Sequence, residues 1–345
     1  MNYQRITIKD IAKAADLTPS SVSRALNNHP RISRQTKEKV LALAQKMGYS
    51  PNLFARGLVK KKTYLIGLQV YDFRNPFYAE LTRSIQDTAQ ESGYWVIQAS
   101  TDDDQDKADA LIDSMIKMGV EGIIFASCKL QDKTVEKLID NNFPVVLVNR
   151  KLKKNIGDYV VLDNTYGAYL MVNHLINHDY RRIAMISGPR SVSTSADRHR
   201  GYTRALKDRG LKIDEEIIKY GSFSQETGFR FAKQFMSLLN PPRAIFCGDD
   251  AIALGAMRAL GELGKRVPDD VAVVGFDDAE ISSHPLIQLT TVSQNLQEMG
   301  RLAAKTMVER IEGKQKNLQK ILIEPHLIIR RSCGYRLPSL RQEIK

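Results

Sequence analysis

The chain has 345 residues, with 51 Lys and Arg against 39 Asp and Glu and a net charge of +12; it is too long for one ordinary domain and long enough to bury a sizeable core. No run of about eighteen apolar residues occurs, and the start MNYQRITIKD lacks the apolar stretch of an export signal, which excludes a membrane span and leads us to expect a soluble, cytoplasmic protein. Cys128, Cys247 and Cys333 are odd in number and far apart, in or beside apolar runs, which excludes a disulfide framework or zinc spacing and leaves plain buried thiols.

The first 50 residues show only helical periodicity. Thr7 followed by Asp10 makes a capping-box start, after which Ile8, Ile11, Ala12 and Ala15 recur on one face. Asp16-Leu17 breaks that helix. Thr18 suits the N-cap of a second helix and Pro19 its first position, with Val22, Ala25 and Leu26 as the buried face. Ser33 caps a third helix, expected to turn Val40, Leu41, Ala44 and Met47 inward before Gly48 ends it. Two short helices joined by a tight turn, then a third, form a helix-turn-helix head.

The segment SPNLFARGLVKKK follows, in which Asn52 can cap a brief helix ending near Val59 before the like-charge run Lys60 to Lys62. As composition alone this is a solvated linker; its place after a basic head makes it a candidate second nucleic-acid contact. From Tyr64 the texture changes to short apolar runs, among them YLIGLQV, GIIFAS, PVVLVN, RIAMISG, AIFCGDD, VAVVGFDD and ILIEPHLIIR, alternating with helical segments such as 77–92, 165–178, 195–209 and 251–263. Strand and helix in alternation mean parallel sheets covered on both faces. About ten strands exceed one comfortable sheet, so two doubly wound α/β lobes are expected, with a ligand in the cleft between them at the carboxyl ends of the strands.

The charge locates a function. Residues 1–62 hold 13 Lys and Arg against Asp10, Asp16 and Glu38, leaving +2 for the other 283 residues. A positive charge confined to one end points to a polyanion or an anionic surface, and no helix here sets large apolar residues against a lysine face as membrane binding requires. In a helix-turn-helix the second helix reads the major groove from its N-terminal end. Its outward residues are Pro19, Ser20, Ser21, Ser23 and Arg24; Arg24 can pair with guanine, while the serines and Asn27 suit phosphates or bases.

These residues resemble the lac repressor family of bacterial transcription regulators. TIKDIAKAADLTPSSVSRALNNHPRISRQTKEKVLALAQKMGYSPNLFARGL is similar to its lambda-repressor-like head and hinge helix, and the likeness runs on through NPFY, DRHRGYTRAL, FCGDDAIALGAMRAL and GFDDAEISSHPLIQLTTVSQ. The resemblance implies a DNA-binding domain over 1–50, a hinge helix and linker over 51–63, an effector-binding and dimerisation core over 64–337 and a tail over 338–345. It implies a core like the type I periplasmic binding proteins, with lobe 1 about 64–163 and 293–321 and lobe 2 about 164–292 and 322–337. It implies a homodimer on a near-palindromic operator in double-stranded DNA, with Leu58 wedged between base pairs of the minor groove and Arg56 beside it. In the core it places Arg198, Asp249 and Asp277 on ligand-contacting positions, with Asn149, Phe223, Tyr71, Phe77 and Asn295 as further lining. Asp250 and Asp278 stand next to two of these and remain open as the contacts; capping of a following helix explains Asp250 well and Asp277 poorly. Two carboxylates against one arginine suit a sugar or sugar derivative over a strongly anionic guest, an aromatic face covering the sugar ring.

Two departures from the family pattern stand out. Asp16 occupies a turn position usually held by glycine, and Gly57 weakens the hinge helix by about 1 kcal/mol of propensity. Only LPSLRQEIK follows the last strand region, too short for a tetramerising coiled coil. No GxGxxG, GxxxxGK or GxSxG occurs, so the common enzyme readings lack an anchor. His174 and His178 stand four apart without a third metal ligand, and Asp102 to Asp104 lack the calcium-loop pattern. No cofactor is expected. Two other readings are a sugar-binding module of transport or metabolism, for which neither signal peptide nor catalytic pair is found, and an architectural DNA-binding protein whose core only dimerises.

Overall fold

The computed structural model describes residues 6–49, 62–102 and 104–335. The expected hinge helix, with Arg56, Gly57 and Leu58, lies outside them. The chain divides into two compact units, Met1–Thr63 and Tyr64–Lys345.

In the first unit α1 (Ile8–Ala15) begins where the Asp10 carboxylate accepts the Thr7 N–H at 2.8 Å and its hydroxyl at 2.7 Å. It ends at Asp16, whose φ of 58° and ψ of 49° are left-handed. Thr18 accepts the Ser21 N–H at 3.2 Å to open α2 (Pro19–Leu26). Ser33 does the same for Thr36 at the head of α3 (Arg34–Lys46), and Gly48 at φ 67° follows its end. Ile11, Ala12, Ala15, Val22, Ala25, Val40 and Ala44 form the buried centre. Leu41, expected inside, is 52 % exposed, and Leu43 packs there in its place. The physical reason is the helical period: Val40, Leu43, Ala44 and Met47 share one stripe, and Leu41 lies about 100° away from Val40.

In the second unit β1 (Leu65–Val70), β2 (Trp95–Ser100), β3 (Gly122–Phe125), β4 (Val145–Val148) and β5 (Asp158–Leu162) build a parallel sheet completed by β11 (Lys320–Ile323), in the order β11-β5-β4-β3-β1-β2. A second parallel sheet runs β7-β6-β8-β9, from β6 (Ile183–Ser187), β7 (Ile218–Tyr220), β8 (Ala244–Cys247) and β9 (Ala272–Val274). We call these sheets and their helices lobes 1 and 2. Successive residues face opposite ways, so Ile124 joins one core cluster while Ile123 and Phe125 join another; both faces are covered, which is why these runs read as continuously apolar.

The helices of the first lobe are α4 (Pro76–Glu91), α5 (Gln105–Lys117) and α6 (Lys133–Asp140), joined late by α11 (Leu296–Ile311), which packs on α4. Those of the second are α7 (Asn164–Asn177), α8 (Ser193–Asp208), α9 (Gln225–Met236) and α10 (Asp250–Glu262). The closing run ILIEPHLIIR is two strands, not one: Glu324-Pro325 separates β11 from β12 (His326–Ile328), which pairs antiparallel with β10 (Thr291–Ser293). Proline has no N–H to continue a ladder. The chain therefore passes between the lobes after β5, after β10 and after β11. Among the described residues no helix is long and apolar enough to cross a membrane, and all three cysteines are buried.

Candidate ligand cleft and nucleic-acid interface

On α2, Pro19, Ser20, Arg24 and Asn27 are exposed and Ser21 and Ser23 half-buried. The hydroxyls of Ser20 and Ser21 each lie 2.9 Å from that of Thr18, and the Asn27 amide donates to the Ser23 carbonyl at 2.8 Å. Arg24 is exposed and makes no ion pair among the described residues. Arg56 and Leu58 fall outside the described residues.

In the second unit the carboxyl ends of both parallel sheets converge. Tyr71 follows β1, Asn149 and Arg150 follow β4, Asp249 follows β8 and Asp277 follows β9; Phe77 and Tyr78 on α4 with its N-cap Asn75, Thr194 and Arg198 on α8, Phe223 after β7 and Gln294 after β10 complete the lining. Seven of the eight expected residues thus meet in one place. The eighth, Asn295, does not: it turns left-handed at φ 48° and its side chain accepts the Glu298 N–H at the start of α11, leaving the preceding Gln294 in the cleft.

Arg198 is 2 % exposed, donates from Nε to Asn164 Oδ1 at 2.8 Å and from Nη1 to the Gly248 carbonyl, and brings Nη2 to 3.7 Å from Asp277 Oδ1. Its guanidinium carbon sits 3.8 Å from the Phe276 ring centroid, a cation–π contact strengthened by desolvation. Asp277 also accepts from the Gln294 amide. Burial, partly opposed by Arg198, pushes the Asp277 carboxyl well above the carboxylate range; burial also pushes that of Asp249 up to about 7, although the Ile252 N–H donates to it at 2.7 Å. That last bond makes Asp249 the N-cap of α10. Asp250 is not the cap: it accepts from Ala279 N–H, Ser282 hydroxyl and Thr291 hydroxyl at 2.9, 2.7 and 2.6 Å. Nor does Asp278 face the cleft; it pairs with Arg330 at 2.7 Å. These two carboxylates hold the lobe together.

Arg150 was not among the expected residues, and it removes the acid excess that the sequence suggested: two arginines face the carboxyl groups of Asp249 and Asp277, both of which burial favours in the neutral form. Arg150 is 2 % exposed, with its guanidinium carbon 5.2 Å from the Tyr71 ring centroid and 5.7 Å from that of Phe223. Phe223 in turn lies against Gly188, where an added Cβ would come within 2.1 Å of the ring. Side chains nearly fill the space, leaving a cavity of about 20 Å³, little more than one water occupies.

The lining is not self-satisfied. Among the described residues Asn149 Oδ1, Arg150 Nε, Thr194 Oγ1 and Gln294 Oε1 are buried without a hydrogen-bond partner, an arrangement that costs about 1–3 kcal/mol for each group left so. Asn149, Asp277 and Asp278 hold φ of 64°, 133° and 58°, strain of the kind retained where a site needs it. His174 and His178, by contrast, lie with ring centroids 4.4 Å apart and planes tilted by 46°, and His174 Nε2 lies 3.2 Å from Cys333 Sγ; burial holds His174 down near 4.

A model of bacterial regulatory proteins of the lacI family matches residues 7–52, and one of a periplasmic binding protein-like domain matches 172–333. The HTH-type transcriptional regulator DegA of Bacillus subtilis is 35 % identical over 333 residues, 96 % of this chain and 98 % of its own. Among solved structures, the lac repressor dimer bound to operator and the anti-inducer ONPF superposes with a TM-score of 0.86 at 25 % identity, covering 96 % of this chain and 99 % of that one. The complex of the transcriptional regulator CelR with cellobiose gives 0.73 at 29 %, covering 95 % and 100 %. Head, cleft and these full-length likenesses agree: the chain belongs to the lacI family of bacterial regulatory proteins.

Proposed function

We propose that the protein is a homodimeric repressor whose two heads read a near-palindromic operator and whose affinity for it is set by a small molecule bound in the cleft. The observation that carries the sensor reading is the set of four buried, unpartnered polar atoms on Asn149, Arg150, Thr194 and Gln294. A ligand that supplies their hydrogen bonds offsets the cost of burying these atoms. Operator reading rests on the exposed Pro19 and Ser20 at the start of α2 and Arg24 in its last turn; the family likeness would put Ser21, Ser23 and Asn27 beside phosphates and Arg56 and Leu58, outside the described residues, in the minor groove.

A sugar or sugar derivative suits the cleft. Arginine, carboxyl and amide groups pair with vicinal hydroxyls while Tyr71, Phe77 and Phe223 offer apolar faces, and the related CelR structure is a cellobiose complex. One observation favours a second ligand class: Arg150 places a planar guanidinium against both Tyr71 and Phe223, a slot that would equally take a flat heterocycle. Ligand entry requires Arg150 to move and the lobes to adjust. The resulting change at the dimer interface separates the hinge segments and releases DNA, with a coupling of about 1–3 kcal/mol.

Selection of bound duplexes from a random pool by the full-length protein, repeated with panels of sugars and of planar heterocycles, tests this reading. The expected result is enrichment of a near-palindrome that one compound abolishes. Enrichment indifferent to every compound would leave an architectural DNA-binding protein; no enrichment would sink operator reading itself.

A further inference from the structure

A second pocket opens where the lobes meet on the other face of α8. It has a volume of about 640 Å³ and is lined from lobe 1 by Lys129, Lys151 and Lys153 and from lobe 2 by Arg190, Arg200 and Asp197. The lobes already touch here: the Leu130 N–H donates to the Ser191 carbonyl at 2.7 Å and the Lys151 N–H to the Ser193 hydroxyl at 2.9 Å. Asp197, 8 % exposed, is the single acid of the lining and takes Arg200 at 2.9 Å and Lys151 at 3.5 Å. Three cations are left over. Lys153 and Arg190 are exposed, Lys129 is half-buried, and none makes an ion pair among the described residues. The guanidinium carbon of Arg190 stands over the Tyr220 ring, 4.0 Å from its centroid, a cation–π contact. Asp132, buried at the start of α6, already accepts the Val135 N–H. Close by, α8 begins at Ser193 after Val192, which has no side-chain acceptor to cap its first turn, so the positive end of the helix adds to the field.

Five cations around one carboxylate, in a concave space of this size, focus positive potential. Arginines on one wall and lysines on the other match the geometry and charge of a phosphoryl group, a dianion above a second ionisation near pH ~6. We propose that this pocket binds a phosphoryl dianion, free or as the ester of a small metabolite, through Lys129 and Lys153 of lobe 1 and Arg190 and Arg200 of lobe 2. Bound there, the anion ties the lobes in their present arrangement and so biases the cleft, by linkage, toward that arrangement.

The test is calorimetric titration of the full-length protein, without DNA and at constant ionic strength, with inorganic phosphate, glycerol 3-phosphate and, as the neutral counterpart, glycerol. Saturable binding of the phosphates and none of glycerol is expected, weakened at least tenfold in the double variant Lys129→Ala with Lys153→Ala. The same charge removed at Lys305→Ala with Lys314→Ala should leave the affinity within twofold. Binding of inorganic phosphate alone names the free ion as occupant; binding of the ester as tightly names a metabolite. Absence of saturable binding, an unchanged affinity in the first double variant, or an equal loss in the second overturns the proposal. With neither operator nor cleft ligand present, none of these outcomes depends on what occupies the cleft.

Discussion

Arg198 and Asp277 face each other across 3.7 Å with both side chains almost wholly withdrawn from water, and neither has its full complement of partners from the other. A guanidinium that also holds Asn164 and Gly248 is fixed in orientation. Replacing it by an ammonium keeps the charge and loses the fork. Arg198→Lys should therefore leave operator affinity within about twofold and weaken the cleft ligand at least tenfold, read by fluorescence anisotropy of operator DNA titrated with the selected compound. Loss of operator binding without any ligand would assign Arg198 a purely structural role.

Gly188→Ala probes the cleft from its floor. An added methyl collides with the Phe223 ring, and the ring must leave its place beside Arg150. The expected outcome is a tenfold or greater loss of ligand response with Tm lowered by only a few degrees. An unaltered response would show that Phe223 does not cover the ligand.

The raised Asp249 carboxyl makes a pH prediction. Between its ordinary value of 3.8 and about 7 the folded protein holds a proton that the unfolded chain has released, so this group's contribution to stability falls as pH rises through that window. Asn caps a helix as well as Asp and cannot ionise. Asp249→Asn should shrink the fall in Tm between pH 5 and pH 8 by at least ~2 °C, measured calorimetrically without ligand; an identical fall in both proteins would contradict the assignment.

At the head, Asp16 carries a left-handed backbone that costs an L-residue roughly 1–2 kcal/mol, offset by the entropy a glycine loses on folding. Asp16→Gly should stabilise the head by up to ~1 kcal/mol and Asp16→Val destabilise it, as read by amide exchange in α1 and α2. Equal protection in both variants would mean the turn is not strained.

Arg24→Ala should cost about 1–3 kcal/mol on the selected operator and relax the preference at one base pair. A uniform loss on operator and random duplex alike would make Arg24 a phosphate contact instead of a reader.

Where the sequence was readable, local chemistry was decisive. Thr18, Pro19 and Ser33 announce helix starts because only a few side chains can satisfy the first-turn N–H groups. Arg198, Asp249 and Asp277 were found through motif likeness and not through periodicity, since a polar residue in an otherwise apolar run looks the same whether it caps, braces or binds. That ambiguity explains the exchange of roles between Asp249 and Asp250. Gln294 and Asn295 were confused because β10 is only three residues long and no alternation reveals which neighbour points inward. Arg150 had a visible signal, a cation directly after the apolar run PVVLVN at the carboxyl end of a strand, where open α/β sheets place their ligands. An arginine after a strand is ordinarily a solvated loop residue, and sequence alone does not separate the two cases. Leu41 and Leu43 differ only in helical phase, which a short amphipathic stretch fixes poorly.

The way lobe 1 is assembled has a consequence for its biosynthesis. Five of its strands are made by residue 162, yet helix α11 begins only at 296 and the edge strand β11 at 320, a delay for the strand of roughly 8–32 s at ordinary elongation rates of about 5–20 residues/s. Until then Asp158, 2 % exposed in the finished fold, lacks Arg310, which meets it at 2.7 Å. A nascent chain thus holds its first lobe open while the head and the second sheet are already complete, and any product ending before residue 310 carries a DNA-binding end on a core that cannot close.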